Sequence, residues 1–271
     1  MRGPRPRAGP GGAPRRVRAG RGFRGRRGGT PGVWRTAPAP AGPAAGRSGA
    51  PPRKSAREGP AMRIGIIGAG HIGSTLARHF TRVGYDVAVS NSRGPRSLDG
   101  LVAELGPRAQ ALTPEEAARF GEVVVVSIPF GRWHELPSAE LSRKVVIDTS
   151  NYLPERDGHE RDLDQDTITS SQKIRAHTGG NVVKAFNALP WQDLRDGSRP
   201  KGAPDRLAVA LSGSDEDGKA VVAGLVRDIG FDPVDAGNLG RGGRRHQPGT
   251  QVFGRKLPKD EMSEIFHAVR R

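Results

Sequence analysis

From residue 63 onward the chain alternates short apolar runs with stretches in which apolar residues recur every three or four positions. RIGIIG (63–68) is followed by HIGSTLARHFTRVG (71–84), in which Ile72, Leu76, Phe80 and Val83 share one helical face before Gly84. That pattern predicts a strand and then a helix. DVAVS (86–90) predicts a second strand, and SLDGLVAEL (97–105) a helix begun by Ser97. In TPEEAARFG, Thr113 takes the N-cap place, Pro114 the first helical position, and Glu116 follows three residues after the cap. In that arrangement side chain and backbone satisfy each other's donors.

EVVVVSIPF (122–130) and KVVIDTSN (144–151) are unbroken apolar runs, as expected of central parallel strands covered on both faces. NVVKAFNAL (181–189), RLAVALSG (206–213), a helical DEDGKAVVAGLVRDIG (215–230) and DPVDAG (232–237) continue the series. Strand and helix in alternation imply right-handed crossovers and an α/β, Rossmann-type, doubly wound and mostly parallel sheet.

Composition divides the 271 residues unequally. Residues 1–61 hold fifteen Lys or Arg and one acid, Glu58, hence +14 of the formal +16; the other 210 residues carry 29 bases against 27 acids. The basicity belongs to an Arg/Gly/Pro-rich extension with too little apolar surface to offset the entropy of ordering it. A disordered basic arm is expected over 1–61, a Rossmann-like domain with a C-terminal α/β extension over 62–254 and a helical tail over 255–271. The arm lacks the apolar core of a secretory signal. It is either an inert extension ahead of Met62 or a strand of guanidiniums touching nucleic-acid phosphates. Cysteine is absent, which removes disulfides, thiolate nucleophiles and cysteine metal sites. The seven histidines, at 71, 79, 134, 159, 177, 246 and 267, show no two-ligand spacing on a helix, so no metal is expected. No run of eighteen apolar residues suggests a membrane span, and a cytoplasmic location is expected. A homodimer is left open.

Candidate chemistry centres on Gly68-Ala69-Gly70-His71-Ile72-Gly73, which stands between a strand and a helix as a dinucleotide fingerprint requires. Gly68 suits the tight turn, Gly70 a close approach of backbone to pyrophosphate, and Gly73 helix–sheet packing. After the second strand, where an acidic residue would hold a free ribose hydroxyl, the chain has Ser90, Asn91, Ser92 and Arg93, with Arg96 nearby. Hydroxyls and guanidinium favour a 2′-phosphate, hence NADP over NAD.

These residues, together with SNSRGP, VVVVSIPF, VVIDTSN, KAFNAL and QPGTQVFG, resemble the NADPH-dependent reductases of the deazaflavin coenzyme F-420 (F420), the coenzyme F420-dependent NADP oxidoreductases. The resemblance covers about residues 62–254. It implies that Gly70, His71 and Ile72 contact the pyrophosphate, Ser92, Arg93 and Arg96 the 2′-phosphate, and Ile128, Pro129 and Phe130 the nicotinamide end. Hydride transfer between two stacked rings needs no side-chain acid or nucleophile, so no catalytic residue is expected. Lys184 and Asn187 resemble the Lys and Asn of hydroxyacid dehydrogenases, but their strand-like setting assigns Lys184 a structural place near the cleft. Three functions fit: an NADPH:F420 reductase; an NADPH reductase of a flavin, ferric chelate or small imine; and a non-catalytic NADPH-binding protein whose arm contacts nucleic acid.

Overall fold

The computed structural model describes residues 62–268. The expected arm over 1–61 and the last three residues lie outside them. Eight strands form one sheet: β1 Arg63–Ile67, β2 Asp86–Ser90, β3 Ala109–Ala111, β4 Val123–Val126, β5 Val145–Asp148, β6 Asn181–Ala185, β7 Ala208–Gly213 and β8 Asp232–Gly237. Their order is β3-β2-β1-β4-β5-β6-β7-β8. All neighbours are parallel except β6 and β7. The ten helices among the described residues are α1 His71–Arg82, α2 Asp99–Leu105, α3 Pro114–Phe120, α4 Ser138–Leu141, α5 Pro154–Asp157, α6 Arg161–Asp164, α7 Ser170–Thr178, α8 Trp191–Asp196, α9 Glu216–Asp228 and α10 Lys259–Ala268.

Leu76 and Phe80 of α1, Leu194 of α8 and Val222, Leu225 and Val226 of α9 bury one face of the sheet; Ala118 of α3, Leu141 of α4 and Ile174 of α7 bury the other. Coverage on both faces explains why the central strands read as continuous apolar runs. Thr113 caps α3 in a full capping box with Glu116. Val83, in contrast, is 40% exposed, because α1 stops at Arg82 and Val83 turns away as its C-cap. Ser97 does not begin α2. It lies within a 3-10 turn, Pro95–Leu98, and its hydroxyl donates to the Gly94 carbonyl at 2.7 Å.

Uniform alternation gives no hint of the antiparallel β6–β7 pair, whose connection carries only the short α8. Beyond Gly254, α10 packs on β7 and β8 with Met262 and Phe266 buried among Ala208, Ala210, Val234 and Ala236. Strand order reverses at β1, with β2 and β4 on either side, and such a switch point opens a crevice at the carboxyl ends of the strands.

Candidate active site

The crevice begins at the glycine turn. Gly68 holds φ +104°, and a Cβ there would lie 2.1 Å from the Ser127 carbonyl oxygen. Its amide donates to the Ser90 carbonyl at 2.9 Å, tying the turn to the end of β2. A Cβ on Gly73 would meet the Gly68 carbonyl oxygen at 1.9 Å, whereas one on Gly70 would meet nothing within 4 Å. Open space thus lies above the N-terminus of α1, where no side chain caps the helix and no acid stands in its first turn. Those amide donors and the helix dipole suit an anion such as a pyrophosphate. Ala69 and Ile72 are half-buried and pack against the core beneath. The exposed His71 ring stacks on Trp191 with centroids 4.4 Å apart and planes at 13°, and the Arg195 guanidinium lies 5.0 Å from the same indole. This stack joins the glycine turn to the start of α8, a wall that periodicity and motif spacing do not disclose.

At the end of β2, Ser90 is fully buried and donates to the Ile66 carbonyl at 3.0 Å, so its hydroxyl serves the sheet. Asn91 orders the turn that follows: its Oδ1 accepts from the Arg93 amide and its Nδ2 donates to Ser97 Oγ, both at 2.9 Å. Ser92, Arg93 and Arg96 are exposed. Among the described residues, neither guanidinium has a hydrogen bond or ion pair, so both remain open to pair with an anion such as a phosphate.

Beyond β4, Ile128 is half-buried and Pro129 exposed, but Phe130 is fully buried. Its ring meets Tyr152 edge to face at 5.5 Å. Phe130 therefore supports the crevice from below and does not line its nicotinamide end, because an apolar ring after β4 gains more from the core under the loop than from the cleft. Beside it, Asp148 at the end of β5 is fully buried; it accepts from the Ser150 amide and hydroxyl on one oxygen and from Ser171 on the other. Lys184 of β6, 2% exposed, sits 3.5 Å from Asp148 and donates to the Ser150 carbonyl at 2.9 Å. Lys184, Asn151, Tyr152, Gln247 and Pro248 line a cavity of about 70 Å³.

Phe186 links β6 to this site in the left-handed region, φ 64°, a backbone state that costs a bulky residue about 1–3 kcal/mol. Asn187 follows it. Its Nδ2 donates to Asn151 Oδ1 at 3.0 Å and to the His246 carbonyl at 2.8 Å. Its Oδ1 faces His246 Nδ1 at 2.9 Å, while His246 Nε2 lies 3.0 Å from the Ser212 hydroxyl. These partners assign a neutral ring with the proton on Nδ1, accepting from Ser212 on Nε2. Burial, and then the positive charge of Lys184, lower the His246 pKa to about 3. Among the described residues no cluster of His, Asp and Glu could hold a metal ion, and no helix is long and apolar enough to cross a membrane.

Residues 63–152 match the model of the family described as NADP oxidoreductase, coenzyme F420-dependent. A hypothetical protein of Sinorhizobium meliloti of known crystal structure is 32% identical, over 74% of this chain and 96% of that one, with a TM-score of 0.65. The chain belongs to the coenzyme F420-dependent NADP oxidoreductase family. Like that family, it is an NADPH-dependent oxidoreductase and binds NADP(H). A candidate F420-dependent NADP reductase of Arthrobacter sp. FB24 shares the fold at 24% identity, over 72% of this chain and 99% of that one, with a TM-score of 0.59. An imine reductase of Pseudomonas sp. shares it at 16% identity, over 78% and 62% respectively, with a TM-score of 0.50. No curated protein matches the family member described here at a significant level.

Proposed function

We propose that this reductase passes hydride between NADP(H) and the deazaflavin F420. The observation that carries the reading is a cavity lined by Asn151, Gln247 and Lys184 in a domain whose β4 is followed by the apolar Ile128 and Pro129. A flat ring with one polar edge fits such a site: its face rests on Ile128 and Pro129, and its carbonyl and ring-nitrogen edge meets the donors. The glycine turn and α1 amides of Gly70, His71 and Ile72 hold the pyrophosphate, and Ser92, Arg93 and Arg96 hold the 2′-phosphate. Gly68 and Gly73 shape the turn, Ala69 and Ile72 anchor it, and Asn91 fixes the loop that presents Arg93. NADPH in this cradle supplies the hydride from its nicotinamide ring; NADPH, a proton and oxidised deazaflavin become NADP⁺ and reduced deazaflavin. The protein contributes position and exclusion of water, the two requirements for transfer between stacked rings.

The test mixes purified protein and NADPH with oxidised F420, flavin mononucleotide and ferric citrate in turn and follows loss of nicotinamide absorbance. Turnover with F420 well above the other two is expected. Turnover confined to the flavin or the ferric chelate overturns the assignment of acceptor.

A further inference from the structure

Between Asp235 and Asp260 the sequence holds no acid but six Lys or Arg, three of them, Arg241, Arg244 and Arg245, within five residues. The segment 238–251 that carries these three is anchored on either side of them, at Leu239 and His246. Leu239 is 1% exposed and its carbonyl accepts from Thr169 at 3.0 Å; His246 is fully buried between Ser212 and Asn187. A Cβ on Gly242 would lie 2.4 Å from the Asn238 carbonyl oxygen, so the turn between these anchors is tightly wound. The backbone that carries its arginines is thus held in place by the fold.

Many bases of the domain, among them Arg63, Arg78, Arg108, Arg199 and Lys219, face carboxylates. Arg241 and Arg244 face none among the described residues. Arg244 donates to a backbone carbonyl, that of Asp166, and Arg245 is held by the Phe266 carbonyl and lies 4.9 Å from its ring. The exposed Arg241 has no side-chain hydrogen bond or ion pair among the described residues. Two hollows adjoin these side chains. One, of about 360 Å³, is walled by Ala236, Asn238, Arg241 and Arg245; the other, of about 460 Å³, by all three arginines with Thr250, Ile265 and Phe266. Among the described residues, neither is lined by an acid. The loop also reaches the acceptor site, since Gln247, Pro248 and Asp166 wall the cavity at Lys184 while Gly249, Thr250 and Gln251 wall the larger hollow.

We propose that loop 238–251 binds the anionic side chain of the acceptor, with Arg241 and Arg244 taking its phosphate and carboxylate groups. The inference rests on the deazaflavin reading above and extends it from the ring to the chain the ring carries. Guanidiniums pair with such oxyanions through paired N–H donors, and the apolar floor at Ile265 and Phe266 accepts the methylenes between charges. The acceptor's side chain then contributes to binding while its ring alone determines the hydride step.

The experiment compares F420, whose side chain bears a phosphodiester and carboxylates, with its uncharged ring–ribityl fragment, using the full-length protein and its Arg241→Glu and Arg244→Glu variants. Wild type is expected to show a KM for F420 at least tenfold below that for the fragment, a gap that narrows as potassium chloride is added. Each variant should raise the KM for F420 about tenfold and leave unchanged its kcat, the fragment's kinetics and the Kd for NADPH; the last two also report intact folding. Equal KM values for the two acceptors in wild type, or variants that weaken both alike, overturn the anion site and leave the deazaflavin reading standing. Reduction of neither compound by wild type sinks both.

Discussion

Arg93, held out from the end of β2 by the Asn91 turn, tests the cofactor assignment through a single side chain. Arg93→Asp removes a donor and sets a negative charge where the 2′-phosphate is proposed to sit. NADPH should lose at least the ~1.5–3 kcal/mol of a charge-assisted bond, so the ratio of kcat/KM for NADPH over NADH should fall roughly ten- to a hundredfold. Steady-state rates with the two nicotinamides check this; equal loss with both cofactors would count against it. His246 supplies a second test at this scale. Its folded pKa of about 3 lies below the ~6.5 of an unfolded histidine, so the unfolded chain binds more protons between those values. The stability His246 contributes is complete above about pH 6.5 and declines by roughly 1.4 kcal/mol per unit as pH falls toward 3. Burial lowers the pKa of His79 as well, with the same sign. Urea midpoints from pH 7 to 4 should therefore fall less steeply in His246→Gln than in wild type, without becoming flat.

At the scale of elements, α10 shows how far the domain extends. Phe266 is 4% exposed, in a cluster with β7 and β8, so Phe266→Ala should cost about 3–5 kcal/mol, read as a lower denaturation midpoint. An unchanged midpoint would return α10 to the status of a loose tail. The sequence shows the helix there but not its seat, since the contacts come from strands more than twenty residues away. The same division runs through the molecule. The β1–α1 turn and the Thr113 cap were legible because their partners lie within a few residues, where spacing carries the geometry. His71 on Trp191, and Asn187 on His246, join positions 120 and 59 apart, and no local period records them. The burial of Phe130 was equally hidden, because an apolar residue after a strand can face ligand or core with the same spelling. Asn151 and Gln247 did leave a trace: they fall within VVIDTSN and QPGTQVFG, two of the stretches on which the family resemblance rests.

For the whole molecule, charge divides at residue 61, with +14 before it and +2 after. Affinity for nucleic acid, if the protein has any, is expected to reside in residues 1–61 and to fall steeply with salt. Titrating full-length protein and residues 62–271 against the same oligonucleotide at two salt concentrations checks this; salt-insensitive binding by the shorter chain would contradict it. The sheet, too, ends by design of its chemistry. At one margin β3 is three residues long. At the other, β8 pairs only with β7 and carries Pro233. The amide of Asp232 points inward, to the Leu207 carbonyl at 2.9 Å, so alternation aims position 233 outward, where proline offers no N–H. A ninth strand from another molecule would find a missing donor near the start of its template. Pro233→Val restores that donor and should lower the temperature at which the heated protein begins to scatter light, which makes one ring closure a guard against aggregation.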